Sequence, residues 1–245
     1  MKLKKKYVGM LTALIISGFS SSVLAADMNV ELRHWKADLD SSARVTDNGI
    51  GSTVDFNKDL GINDKSFNEI RLSWGKVRLA YTNFDYTGFN TLSRDIDFNG
   101  DHYSANEDVT SKLDIKYYRL GLMRPLINST VKVDWMIDIK GFSFDTAIES
   151  ELDSGSKKFS GALPTLGVAA SSQITNNLSA YGEISGLPFG KYGHILDAEA
   201  GVKYSVINNL SVAAGYRVFD LKAKDDEDFA QIKLTGPYFK ASYFF

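Results

Sequence analysis

Residues 130–140, TVKVDWMIDIK, place apolar side chains at every odd position from 131 to 139 and mostly charged side chains between them. Because successive side chains of a β-strand point to opposite faces, the segment predicts a strand with one apolar and one charged face. A soluble sheet would bury the apolar face. A membrane barrel would turn that face toward lipid and keep the charged face in its lumen.

The start of the chain is typical of a secretory signal. Four lysines lie within residues 2–6, an apolar run spans about Tyr7 to Phe19, and small residues follow as far as Ala25. The run is shorter than the roughly 20 residues that a membrane-spanning helix needs. We predict a signal peptide at residues 1–25 and one exported domain at 26–245, with an uncleaved leader that anchors the chain as the alternative. Export favours the membrane barrel over the soluble sheet.

The composition excludes several classes of protein. The chain has no cysteine, so disulfides and thiolate metal sites are excluded. After the leader, no apolar run is long enough for a transmembrane helix. The full chain carries a net charge of −2, and its polar loops are acidic, which argues against a nucleic-acid partner because such partners need a basic surface.

Alternating segments recur throughout residues 26–245 and predict ten strands. The predicted strands are 28–40, 67–74, 77–86, 112–123, 130–144, 159–174, 178–185, 194–206, 210–221 and 229–245. Four short turns, near residues 75, 127, 176 and 208, alternate with five longer polar loops. Asn and Gly at these turns suit the left-handed conformation of tight hairpins. The alternatives are eight or twelve strands.

Two of the predicted strands have an uncertain phase. In 28–40, Val30 and Leu32 share one face, whereas Trp35, Ala37 and Leu39 share the other, and a β-bulge is the simplest explanation. In 112–123, apolar residues occupy both faces, so its orientation stays open.

The C-terminal strand carries the most specific pattern. Phe239, Ala241, Tyr243 and the terminal Phe245 share one face. With an even number of antiparallel strands, short turns at one end and long loops at the other, the chain resembles the small outer-membrane β-barrel proteins of Gram-negative bacteria. The resemblance covers residues 26–245.

This resemblance implies an all-β, antiparallel up-and-down barrel in the cell outer membrane. It implies contacts with outer-membrane lipid and lipopolysaccharide, and a monomeric state. The outer-membrane assembly machinery would recognise the terminal aromatic residues, so the expected assembly signal is Phe239, Tyr243 and Phe245.

The charged faces predict a lumen network. A Lys or Arg on the lipid face near the membrane centre costs roughly 2–4 kcal/mol, so we assign these charges to the lumen. The predicted network is Glu69, Arg71, Arg78, Lys132, Asp134, Asp138, Lys140, Glu183, Asp197, Glu199, Lys203 and Arg217; the inward set also includes Glu31, Arg33, Asp114, Lys116, Arg119 and Lys240. This set is nearly balanced in charge. Balance favours salt-bridged side chains that fill a narrow lumen, and a narrow, porin-like pore for small solutes is the alternative.

One loop resembles the start of a calcium-binding loop. Residues 95–100, DIDFNG, match its first half, but Asn106 occupies the position of the bidentate acid. We predict instead a metal-free hairpin that turns at Asn99-Gly100.

The sequence offers no catalytic motif. His34, His102 and His194 are the only histidines, and none stands beside a nucleophile or acid in a recognisable spacing. We therefore predict no catalytic residues and no cofactor. The expected role is structural or one of surface interaction through acidic loops, with a surface hydrolase as the remaining alternative.

Overall fold

The computed structural model describes residues 28–47, 49–151 and 154–245. The predicted signal peptide and its cleavage site lie outside the described residues. The strands are β1 (Met28–Arg44), β2 (Thr53–Asp55), β3 (Lys65–Trp74), β4 (Val77–Thr91), β5 (Ile96–Phe98), β6 (Asp101–Tyr103), β7 (Asp108–Asn128), β8 (Val131–Glu149), β9 (Ser154–Gln173), β10 (Leu178–Pro188), β11 (Gly193–Ile207), β12 (Leu210–Asp225) and β13 (Asp228–Phe244). A 3-10 turn, Gly190–Tyr192, precedes β11. Within these ranges no helix has the length and apolarity to span a bilayer.

Ten long strands form one closed antiparallel barrel. They are β1, β3, β4 and β7 to β13, and each pairs with its neighbour in sequence order. The barrel closes where β13 pairs with β1, from Asn29–Phe244 to Arg44–Phe229. The predicted ten-stranded up-and-down barrel is therefore confirmed, and the short turns all lie at one end.

Most of the barrel strands are longer than predicted. β7, β8 and β9 contain 21, 19 and 20 residues, whereas crossing a membrane takes about 9–11 residues per strand. The predicted loops at 145–158 and 222–228 are wrong, because β8 runs to Glu149 and only Asp226 and Glu227 join β12 to β13. These segments are polar because their outward side chains lie in water beyond the membrane, and not because they are irregular.

Strand β1 shows how the barrel changes along its length. Its register with β13 is constant from end to end, so the predicted bulge is wrong. Inward positions hold Glu31 and Arg33 near the short turns but Trp35, Ala37 and Leu39 further along. The same alternate positions therefore point inward along the whole strand. The inward face is charged near the short turns and apolar further along, and the outward face changes in the opposite sense.

Strand β7 shows the same exchange. Leu113 and Tyr117 point inward and are buried, whereas Tyr118 points outward and is exposed. Asp114 and Lys116, which we predicted to face the lumen, instead face outward on this upper part of the strand. We call the part between the short turns and the level of Tyr118 the lower barrel, and the rest the upper barrel.

The upper barrel encloses an apolar core. Trp35, Phe84 and Phe67 form edge-to-face pairs, and Tyr117, Phe142 and Phe219 pack together on the other side. A cavity of about 10 Å³ lies among these rings, which is room for about one water molecule. The lumen at this level is thus filled by side chains.

Two loops close the upper end of the barrel, and we call residues 49–64 and 92–107 together the cap. The predicted hairpin is confirmed as β5 and β6, and positive φ angles at Asn99 (54°) and Gly100 (94°) match a primed turn. The hairpin folds back onto the core, because Ile96 and Tyr103 are 1% and 0% exposed. A salt bridge of 2.6 Å between Arg94 and Asp59 joins the two loops.

Candidate functional site: the lumen charge network

The lower barrel holds a cluster of charged side chains that we call the lumen network. Its members are Glu31 and Arg33 of β1, Glu69 and Arg71 of β3, Arg78 of β4, Arg119 of β7, Asp138 and Lys140 of β8, Glu183 of β10, Asp197 and Glu199 of β11, Arg217 of β12 and Lys240 of β13. Every one of these side chains is at most 9% exposed. Alternation in the strands aims them all at the barrel axis.

Arg217 joins two sides of the barrel. Its Nε and Nη2 donate to the two carboxylate oxygens of Asp197 at 2.9 and 3.0 Å, and its Nη1 donates to Glu69 at 2.8 Å. Arg33 continues the chain of pairs from Glu69, at 3.2 Å, to Glu199, at 2.8 Å. Pairs of this kind are charge-assisted and geometrically specific.

A second set of pairs occupies the opposite wall. Glu183 accepts from Arg78 at 2.7 Å and lies 2.6 Å from Arg119. Arg119 also donates to Asp138 at 2.6 Å. Lys140 donates to the hydroxyl of Ser185 at 2.7 Å and to Asp197 at 3.3 Å, which links the two sets.

Aromatic rings separate the lumen network from the apolar core above it. The guanidinium of Arg217 lies 4.8 Å from the ring centroid of Trp35, and that of Arg33 lies 4.4 Å from the ring of Tyr238. Such cation–π contacts strengthen as water is removed. The rings therefore lie against the guanidinium groups and mark the level at which the lumen becomes apolar.

The structure places the predicted network residues in two groups. Nine of them lie in the lumen network: Glu69, Arg71, Arg78, Asp138, Lys140, Glu183, Asp197, Glu199 and Arg217. Lys132, Asp134 and Lys203 share the inward face but lie outside the paired cluster, since among the described residues none of them has an opposite charge within 4.0 Å. They lie near the short turns, where water at the barrel mouth can solvate them.

Four further members were assigned inward but not to the predicted network, namely Glu31, Arg33, Arg119 and Lys240. Each ion-pairs with members on other strands, as in the contact of Lys240 with Glu31 at 3.0 Å. The uncertain phase of β1 and β7 hid the first three. For Lys240 the sequence did carry the signal of an inward position, because Lys240 alternates with Phe239 and Ala241, which lie on the outer face.

The histidines lie apart from the lumen network. His34 faces outward and contacts Asn68, His102 pairs with Asp97 in the cap at 2.7 Å, and His194 pairs with Asp220 on the outer wall at 3.3 Å. Within the described ranges no group of three or more His, Asp or Glu side chains is arranged to hold a metal ion.

The outside of the lower barrel is an apolar belt. It includes Leu32, Ile70, Leu72, Leu79, Tyr81, Tyr118, Trp135, Ile137, Leu166, Val168, Ile184, Val202, Tyr204, Tyr216, Phe239 and Tyr243, all of which are exposed. Exposed apolar area on this scale marks a membrane surface, and closure pairs the strands that cross it. The protein is therefore an integral outer-membrane β-barrel, with a charged lumen inside a lipid-facing wall.

Comparisons with known proteins agree on the fold. Residues 148–245, less than half of the chain, match the family described as YfaZ precursor. No curated protein sequence matches the chain. Among solved structures, the outer membrane protease OmpT from Escherichia coli is similar with a TM-score of 0.58 at 12% identity, covering 92% of this chain and 100% of OmpT.

Two other solved structures are similar at lower TM-scores. Ail, the attachment invasion locus protein of Yersinia pestis, has a TM-score of 0.35 at 10% identity and covers 90% of this chain and 99% of Ail. The toluene transporter TodX from Pseudomonas putida has a TM-score of 0.34 at 9% identity, with 90% and 89% covered.

Proposed function

We propose that this protein is a non-conducting outer-membrane barrel with a structural or surface-interaction role. The observation that carries the proposal is the filling of the lumen at three successive levels. From the short turns upward these are the lumen network, the apolar core and the cap. An ion crossing the barrel would have to displace all three.

The lumen network is the first barrier. Its carboxylates and cations are paired with each other across strands, so little net charge is left to attract a mobile ion. Opening a path would separate buried pairs, which typically costs several kcal/mol for each charge left uncompensated. A water-filled pore would instead screen its wall charges.

The apolar core and cap add the second and third barriers. Ala37, Val54 and Tyr103 are 0% exposed, although they come from β1, the first loop and the hairpin. Tyr103 donates from its hydroxyl to the carbonyl of Ile148 at 3.1 Å, which ties the hairpin to β8. The cap is thereby held against the barrel rather than projecting from it.

In this role the outer surface of the barrel makes the contacts with lipid and with other partners. Partners are outer-membrane lipid and lipopolysaccharide around the belt, and the assembly machinery at Phe239, Tyr243 and Phe245. Acidic residues such as Glu149 and Glu151 lie at the outer end of the wall, where they can meet external partners. Hydrolysis is not part of the proposal, because the likeness to a protease is one of fold at 12% identity.

Planar-bilayer recording of the refolded protein tests the proposal. We expect no stable conductance steps at insertion densities where a general porin, refolded in the same way, gives them. The Asp134→Ala variant, which alters an inward residue outside the lumen network, should be equally silent. Stable steps from the unmodified protein would overturn the proposal and favour a narrow pore for small solutes.

A further inference from the structure

The barrel wall contains a local break between β9 and β10. These strands pair from Ser179–Gln173 to Gly186–Leu166, and the described chain shows no pair between them above that point, although β9 continues upward along β8 to Ser154. Continuing the register would place Pro164 opposite Pro188. Neither residue has an N–H to donate, and the ladder ends two residues before the point where the two prolines would face each other.

An apolar groove lies on the outer wall at this break. Its volume is about 550 Å³, and its walls include Leu166, Val168, Ile184 and Leu196. Gly186 also lines the groove, and a Cβ there would meet the backbone carbonyl of Ile195 on the neighbouring strand. Leu166, Val168 and Ile184 are 59%, 46% and 48% exposed, so the groove is continuous with the lipid-facing belt.

A lysine lies beside the upper end of the groove. His194 lines the groove beside Pro188, and Lys222 is its direct neighbour on β12. Among the described residues, Lys222 has no carboxylate within 4.0 Å, whereas Asp220 is engaged by His194. The apolar groove in the membrane thus ends beside a cation that has no carboxylate within 4.0 Å among the described residues.

We propose that this groove binds one acyl chain of an acidic, phosphate-bearing lipid of the outer leaflet, with the phosphate beside Lys222. Lipid is the occupant because the groove opens into the belt that lipid already covers, and because a lipid phosphate complements Lys222 at the height where headgroups lie. The site is a defined one, distinct from the general lipid contact of the belt. It does not depend on whether the lumen conducts.

Native mass spectrometry of the detergent-solubilised protein tests the site, with phosphatidylglycerol as the probe and phosphatidylcholine as the zwitterionic comparison. We expect the unmodified protein to retain one phosphatidylglycerol. Val168→Trp, which fills the groove, should weaken retention by about tenfold or more. Its matched control is Val202→Trp, because Val202 is similarly exposed, at 48%, on the outer face of β11, and this change should leave retention unaltered.

A separate substitution tests whether Lys222 binds the lipid phosphate. Lys222→Met should remove most of the preference for phosphatidylglycerol over phosphatidylcholine, whereas Lys116→Met, an outward lysine on β7, should not. Unchanged cooperative unfolding of each variant establishes that its fold is intact. The proposal would be overturned if Val168→Trp retained as much lipid as the unmodified protein, or if no lipid were retained at all. A dimer that Val168→Trp abolishes would also overturn it, because the groove would then be a contact between two copies of the chain.

Discussion

The substitution Asp197→Ala should strongly destabilise the barrel. Asp197 accepts two hydrogen bonds from Arg217, at 2.9 and 3.0 Å, and is the only carboxylate within 4.0 Å of Lys140 among the described residues. Lys140 is 0% exposed. Removing the carboxylate therefore leaves Lys140 with no carboxylate within 4.0 Å among the described residues, and leaves Arg217 with Glu69 as its remaining carboxylate partner there.

The expected cost follows from this geometry. Removing one partner of a buried ion pair costs about 3–5 kcal/mol, because the remaining charge is uncompensated. Lys140 loses its carboxylate partner, so this cost applies to it in full, whereas Arg217 keeps its 2.8 Å hydrogen bond to Glu69. We therefore expect a loss of about 3–5 kcal/mol in the free energy of unfolding, and not twice that amount. Adding Lys140→Met should recover part of it, since the pair is coupled.

Equilibrium urea unfolding in lipid vesicles measures this loss. Asp134→Ala is the matched control, because it removes an inward carboxylate of the same barrel that has no ion pair among the described residues, and it should change the free energy of unfolding by less than about 0.5 kcal/mol. If Asp197→Ala costs no more than Asp134→Ala, water screens the lumen charges, and the tightly paired network is refuted.

Three further predictions concern other parts of the chain. Replacing Tyr243 and Phe245 with Ala should reduce assembly into the outer membrane without reducing export, as measured by fractionation; accumulation of a folded, soluble periplasmic form would contradict the barrel assignment. Calorimetric titration with calcium should give no stoichiometric site, and a tight site lost in Asp95→Ala or Asp97→Ala would contradict the metal-free hairpin. Trp35→Ala should lower the free energy of unfolding by about 3–5 kcal/mol through the cavity it leaves in the core, and a loss below about 1 kcal/mol would mean that the core collapses around the gap.

The strand number and the short turns could be predicted from sequence because both depend on local chemistry. Alternation marks each strand, and short polar stretches mark the turns between them. Gly75 has a positive φ of 56°, as a left-handed turn needs, but the described residues at the other three short turns, near 127, 176 and 208, have no positive φ, so the left-handed conformation expected of their asparagines is wrong. Closure followed from these signals, since an even set of hairpins without a spanning helix leaves few other ways to satisfy the backbone in lipid.

The exchange of faces could not be predicted in the same way. Leu32 meets lipid and Leu39 meets the core, yet both are leucines on one strand, and only their odd spacing distinguishes them. A bulge and an exchange of environments produce the same sequence pattern, because each moves apolar residues from one face to the other. The register with β13 decides between them, and it depends on a strand nearly 200 residues away in sequence.

The same ambiguity limited how well the lumen network could be predicted. Lys132 and Asp134 continue the alternation of Asp138 and Lys140, so the pattern assigns all four to the lumen. Depth along the axis separates them, and alternation carries no information on depth. The apolar core above the network was hidden for the same reason: residues such as Trp35, Phe84 and Phe219 lie inside predicted strands, where their depth is not visible from alternation.

Cysteine labelling on β1 tests the central claim, the exchange of inside and outside chemistry, most directly. The chain has no native cysteine, so single variants report one position each. With a water-soluble maleimide on intact outer membranes, Lys36→Cys should react, because it faces water above the membrane. Leu32→Cys, in the lipid belt, and Ala37→Cys, in the core, should react only after unfolding. Reaction of Ala37→Cys at the rate of Lys36→Cys would show that the upper lumen is wet and would contradict the account.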